Sequence, residues 1–157
     1  MRAVDFYTKH VAPAVAEWQS NVLDERLAMN AAVALNQMAD HYYRSFTAGD
    51  GRLFGASSPN TLRKVLAKQE PSFALLRDVA EAHKHVTLNR DDRQVTSADQ
   101  TTVGTMGWGE AEFGYGQFGS PPELVVFLDS NEKRHFSALV DRTVIMWETL
   151  LKEFAEP

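Results

Sequence analysis

The segment "LLRDVAEAHKHV", residues 75–86, brings together an arginine, two carboxylates and two histidines between Arg77 and His85. These residue types can do acid–base and phosphate chemistry. Histidine changes charge near neutral pH, and a guanidinium can fork onto a phosphate. A helix advances about 100° per residue, so Asp78 and His85 fall within about 20° of each other, with Glu81 adjacent. Leu75, Leu76, Val79, Ala82 and Val86 form the stripe expected to be buried. His83 falls at the edge of that stripe, nearer the core than His85. Arg77 falls on the far side, one turn from Glu81, where an i, i+4 ion pair on the surface is expected. The same residues also have structural uses. Such a pair contributes under about 1 kcal/mol, and a half-buried histidine often serves only as a hydrogen-bonding group.

Two resemblances rest on this helix. "RDVAEAH" matches an arginine, a polar residue and a histidine four to six positions on, through Arg77, Asp78 and His83. In this it resembles the HEPN superfamily, helical bundles many of which are metal-independent endoribonucleases. The resemblance covers about residues 20–90 plus the C-terminal helix. It implies Arg77, Asp78 and His83 as catalytic residues, RNA as substrate, and two protomers whose motifs meet in a dimer cleft. The arginine would bind the scissile phosphate and the histidine would move protons. Over about residues 70–150 the chain also resembles a group of uncharacterised bacterial proteins. The shared features are an R-D-x-A-x-A-x-K-H helix, a Gly/aromatic loop, and a C-terminal helix bearing a tryptophan such as Trp147. That second likeness implies no activity.

Other residues offer further chemistry. His41, on an earlier helix, is placed to approach His85 or Asp78 if the two helices pack, with Glu81 as a further polar group. His83 and His85 stand two apart and point away from each other on a helix. No HExxH regularity is present, and no metal or cofactor is expected. "GYGQFG", Gly114 to Gly119, has the G-x-G-x-x-G spacing that cradles a pyrophosphate. A helix should open after it, but "SPPELVVFLD" follows, two prolines and then a strand. No nucleotide cofactor is expected there. The aromatics Trp108, Phe113, Tyr115 and Phe118 instead read as anchors of an irregular loop. Trp108 and Tyr115 are candidate contacts of a non-catalytic, homo-oligomeric interaction module using residues 104–119.

The elements that must position these residues are mostly helical. Val4, Tyr7, Val11, Ala14 and Trp18 recur at helical spacing, and Pro13 is expected to kink that helix or divide it. Leu27, Ala31, Leu35, Met38, Tyr42 and Phe46 line one face of a second helix capped by Asp24. Ser58 and Pro59 open a third, Pro71 ends it, and Ser72 is the expected cap of the next. Beyond Val86 the pattern alternates, and "ELVVFLD" reads as a strand. A helix from about residue 131 carries Phe136, Val140, Thr143, Trp147, Leu150 and Phe154 on one face. The expectation is mainly α: a four- to five-helix bundle in one domain, 1–157. A small antiparallel β insert, about residues 86–129, precedes the C-terminal helix.

Composition bounds the function. The 157 residues carry a net charge of −5, against broad nucleic-acid binding but compatible with a small RNA-directed site. There are no cysteines, which removes disulfides, thiolate metal sites and thiol nucleophiles. No apolar run approaches the length of a membrane span, so no membrane partner is expected. The expected setting is the cytoplasm, and the expected assembly is a homo-oligomer.

Overall fold

A proline inside the first helix sets the geometry of the N-terminus. In the computed structural model, which describes residues 1–85, 88, 92–104 and 122–152, this helix is continuous through Pro13. It runs as α1 (Ala3–Phe6), a π-helical turn (Tyr7–Val11) and α2 (Ala12–Ser20). Proline lacks an N–H, and its ring crowds the carbonyl four residues back, here that of Lys9. The wider turn relieves that crowding. Ala12 donates its N–H five residues back, to the Tyr7 carbonyl. Of the two expected outcomes, a kink or a division, the helix is not divided at Pro13; it is locally widened just before it.

The inserted residue also shifts the buried face. Ala3 and Phe6 are buried before the π turn, and Val11, Val15 and Trp18 after it. Val4, expected inside, is 39% exposed. A strict 3.6-residue count could not register the extra residue.

The next helices follow their sequence signals closely. In α3 (Glu25–Arg44) the Asp24 carboxylate accepts from Leu27 N–H at 3.0 Å. Leu27, Ala31, Leu35, Met38 and Tyr42 are buried, together with Ala28, Ala32 and Ala39. These alanines let neighbouring helices approach closely. In α4 (Pro59–Gln69) Ser58 Oγ accepts from Thr61 N–H at 3.1 Å. The start of α5 (Pro71–His85) differs from expectation. Glu70, not Ser72, fills the cap: its carboxylate accepts from Ser72 N–H at 3.0 Å and its carbonyl from Ala74 N–H.

The β insert forms a three-stranded antiparallel sheet, ordered β1 (Thr101–Gly104), β2 (Glu123–Phe127) and β3 (Lys133–His135). Thr101 pairs with Val126 and Thr102 with Val125. Val125 pairs with His135 on the other side. The third strand occupies residues expected to begin the last helix. That helix, α6, opens at Phe136 and runs to Lys152.

Helix α5 is the centre of the bundle, packed against α3, α4 and α6. Every residue from Phe73 to Ala80 is buried. Phe136, Val140, Thr143, Trp147 and Leu150 of α6 are buried, as their spacing required; Phe154 lies outside the described residues. Trp147 donates its indole N–H to the Leu35 carbonyl at 3.1 Å, joining α6 to α3. Among the described residues no helix is long and apolar enough to cross a membrane.

The N-terminal helix is tied to α6 by Tyr7, which donates its hydroxyl to Glu148 Oε1 at 2.7 Å. Burial, and then this bond to a carboxylate, raise the Tyr7 pKa well above its ordinary 10.0. The unfolded chain releases the phenolic proton from about pH 10, while the folded chain keeps it to higher pH. The contribution to stability is thus intact below about pH 10 and fades as the pH rises further. Absorbance titration of wild type minus Tyr7→Phe is expected to isolate one phenol ionising above 10. A difference curve centred on 10 would contradict the bond between Tyr7 and Glu148.

Candidate functional site

Arg77 and Asp78 are where the structure departs most from the helical wheel. Arg77 was expected on the surface beside Glu81. It is 5% exposed, and Asp78 is 1% exposed. The reason is that α5 is covered on all sides from Phe73 to Ala80, so even its polar face is enclosed there. Arg77 turns to its neighbour and donates to Asp78 Oδ1 from Nε at 3.1 Å and Nη2 at 2.8 Å. The i, i+4 pair with Glu81 does not form.

A second arginine completes the cluster. Arg93 donates from Nη1 to Asp78 Oδ1 and from Nη2 to Glu81 Oε2, each at 2.7 Å. The other carboxylate oxygen of Asp78 accepts from Gln94 N–H at 2.9 Å. Two guanidinium groups therefore meet the carboxylates of Asp78 and Glu81 where water is scarce, with the more exposed Asp92 carboxylate 3.7 Å from Arg93 Nε. A buried charge is tolerable only when it is paired and hydrogen-bonded in this way. The sequence reading missed Arg93. Its available signal was indirect: a buried aspartate must find cations.

The histidines fall elsewhere. His83 and His85 are exposed in the last turn of α5, where basic groups suit the helix dipole. His83 lines a cleft of about 290 Å³ together with Phe6, His10, Asn30 and Gln37, above a floor that includes Met29 and Val33. Arg77 does not line it, so the arginine and histidine of the RDVAEAH segment face different surroundings. His41 does not approach Asp78 or His85 through any hydrogen bond or ion pair. Its ring stacks on Phe6 with centroids 3.8 Å apart and planes at 13°, and its Nδ1 lies 3.4 Å from the Met1 carbonyl. His10 approaches Phe6 as well, at 5.1 Å.

Three histidines from three separate helices thus surround one side of the bundle. Phe6 contacts two of them, stacking on the His41 ring and meeting the His10 ring at a 31° tilt. His10 belongs to the π turn, which sets the phase of the helix at that point. Such turns are over-represented at functional sites. His10 and Phe6 were not identified from sequence. The signal that pointed to them was Pro13, through the distortion it demands just upstream.

The cleft has a definite chemical character. Its lining holds no carboxylate, lysine or arginine. Asn30 and Gln37 offer amide donors and acceptors, and two imidazoles can donate, accept or carry a proton. Met29, Val33 and Phe6 supply apolar contact. Among the described residues no group of three or more His, Asp or Glu is arranged to hold a metal. Trp108, Tyr115 and the Gly114–Gly119 segment lie outside the described residues.

The ion cluster makes a direct prediction. Removing one partner leaves a buried charge uncompensated, which typically costs about 3–5 kcal/mol. Asp78→Ala is expected to lower the unfolding free energy by that amount in urea titrations. A loss under about 1 kcal/mol would mean that the arginines find water or other partners.

No family model, curated protein or solved structure matches this chain, and its function is to be read from the cleft and the ion cluster themselves.

Proposed function

We propose that this chain is an RNA-directed protein whose working site is the His10–His83 cleft. The observation that carries the reading is the convergence of two exposed-side imidazoles, from the π turn and from α5, on a hollow furnished with two side-chain amides. Amide side chains match the donor–acceptor edges of an unpaired base. The two amides suit the edge of a neutral base, which leaves the two imidazoles for the adjoining ribose phosphate. A volume of about 290 Å³ suits one base rather than a dinucleotide. Lys9 and Lys84 are exposed next in sequence to His10 and His83, where the backbone phosphates of a strand would pass.

In this reading His83 keeps the proton-transfer role implied by the HEPN resemblance, with His10 as the second acid–base group. Arg77 and Asp78 hold the helix that presents His83. One imidazole takes the proton from a ribose 2′-hydroxyl as that oxygen bonds the adjacent phosphorus, and the other gives a proton to the 5′-oxygen as its bond to phosphorus breaks, leaving a 2′,3′-cyclic phosphate and a 5′-hydroxyl. No metal is needed for that step. The same reading takes the protein to work in the cytoplasm and as a homo-oligomer.

Binding of short single-stranded oligoribonucleotides tests it. His10→Ala and His83→Ala are each expected to weaken binding at least about tenfold, to abolish any cleavage, and to leave the melting temperature unchanged. Wild-type protein that neither binds nor cleaves such strands, or variants that behave like wild type, would remove the proposal.

A further inference from the structure

Helix α6 exposes a surface that the cleft does not explain. Ile145 is 62% exposed, more than any other large apolar side chain described except Met1 at the terminus. It is also a ridge between two grooves. One, of about 490 Å³, runs along the N-terminal helix over Ala12, Val15 and Ala16. The other, of about 310 Å³, lies on the opposite side over Met146 and Leu150. Ile145 lines both. An apolar ridge with a hollow on either side can act as both knob and hole.

The charges along this face are ordered. Arg142 stands one turn before Ile145, and Glu148 one turn after it. Both are exposed. Arg142 forms no ion pair among the described residues, and Glu148 uses Oε1 for Tyr7, leaving its second oxygen. Along the line from Arg142 through Ile145 to Glu148 the stripe reads positive, apolar, negative, with the exposed Asp141 beside Arg142 on the groove that Glu148 also lines.

From this pattern we infer that α6 is the contact surface for a second copy of this chain, crossing antiparallel about a two-fold axis at Ile145. This deepens, and rests on, the self-association reading above. In an antiparallel crossing, a residue three places before the centre faces one three places after it on the other helix. Each Arg142 then meets the partner's Glu148, and the two Ile145 side chains pack into the facing grooves. An isologous contact needs a surface that complements itself, and this one does. A parallel crossing would set Arg142 against Arg142 and Glu148 against Glu148.

Charge reversal tests the pairing without depending on loss of a core residue. Arg142→Glu alone places four acidic groups at the contact, and Glu148→Arg alone places four basic ones. Sedimentation is expected to show wild type self-associating, with each single variant weakened at least about tenfold. An equimolar mixture of the two variants is expected to recover a dimer, because each opposed pair is then opposite in sign. Far-ultraviolet dichroism checks that both variants remain folded. If wild type self-associates but the variants do so equally, or the mixture does not recover, the α6 surface is wrong while self-association stands. If wild type is monomeric throughout the concentration range, both fail.

Discussion

The buried carboxylate of Asp78 is the constraint on which the rest of the structure turns. It lies on the central helix, almost wholly out of water, and accepts hydrogen bonds from two arginines and one backbone amide. An ion in that position is intolerable alone and acceptable only when it is paired and hydrogen-bonded. The requirement reaches far along the chain. Arg93 and Gln94 must return to α5. The Gln94 carbonyl then accepts from Asp129 N–H, and Gln100 bonds the Phe127 carbonyl and the Asp129 carboxylate. One carboxylate is thus connected, through short hydrogen bonds, to the end of the central strand. Replacing such a cluster by apolar groups is often neutral, whereas breaking it is costly. Its value here lies in register: it specifies where the β insert sits on the bundle.

The cleft depends on a different conflict, between a proline and a helix. Pro13 cannot be accommodated in a regular helix without disturbing the turn before it. The disturbance is local, one widened turn, because Val11, Val15 and Trp18 continue to bury their side chains beyond it. The outcome is a phase shift that brings Phe6 inward. Phe6 in turn gathers His10 and His41 by ring contact. The imidazole-lined cleft therefore arises beside a backbone irregularity, while Arg77 and Asp78 of the RDVAEAH segment are held inside the scaffold.

Much of the fold was legible because it is written in periodicity and caps. Leu35, Met38 and Tyr42, or Val140, Thr143 and Trp147, lie on faces that only a helix creates. Asp24 and Ser58 bond the amides expected of caps. What escaped was decided by tertiary context. Arg77 looks like a surface residue on an isolated wheel, and only a helix covered on all sides buries it. Arg93 lies in a polar stretch with no periodic signal, and its role follows from where Asp78 ends up. Lys133–His135 became a strand because the chain turns back to pair with β2, which ends only a few residues earlier, before α6 begins. His10 and His83 are far apart along the chain, and nothing local marks them as neighbours of one cleft.

The division of labour between scaffold and site can be measured directly by comparing Arg77→Lys with His83→Ala in the same two assays, oligoribonucleotide affinity and urea unfolding. Lysine keeps the charge but loses the forked geometry that Asp78 receives. The account predicts that Arg77→Lys lowers stability while leaving affinity as in wild type, and that His83→Ala lowers affinity while leaving stability unchanged. The reverse pattern, with Arg77→Lys losing affinity at full stability, would contradict it and place the arginine in the site.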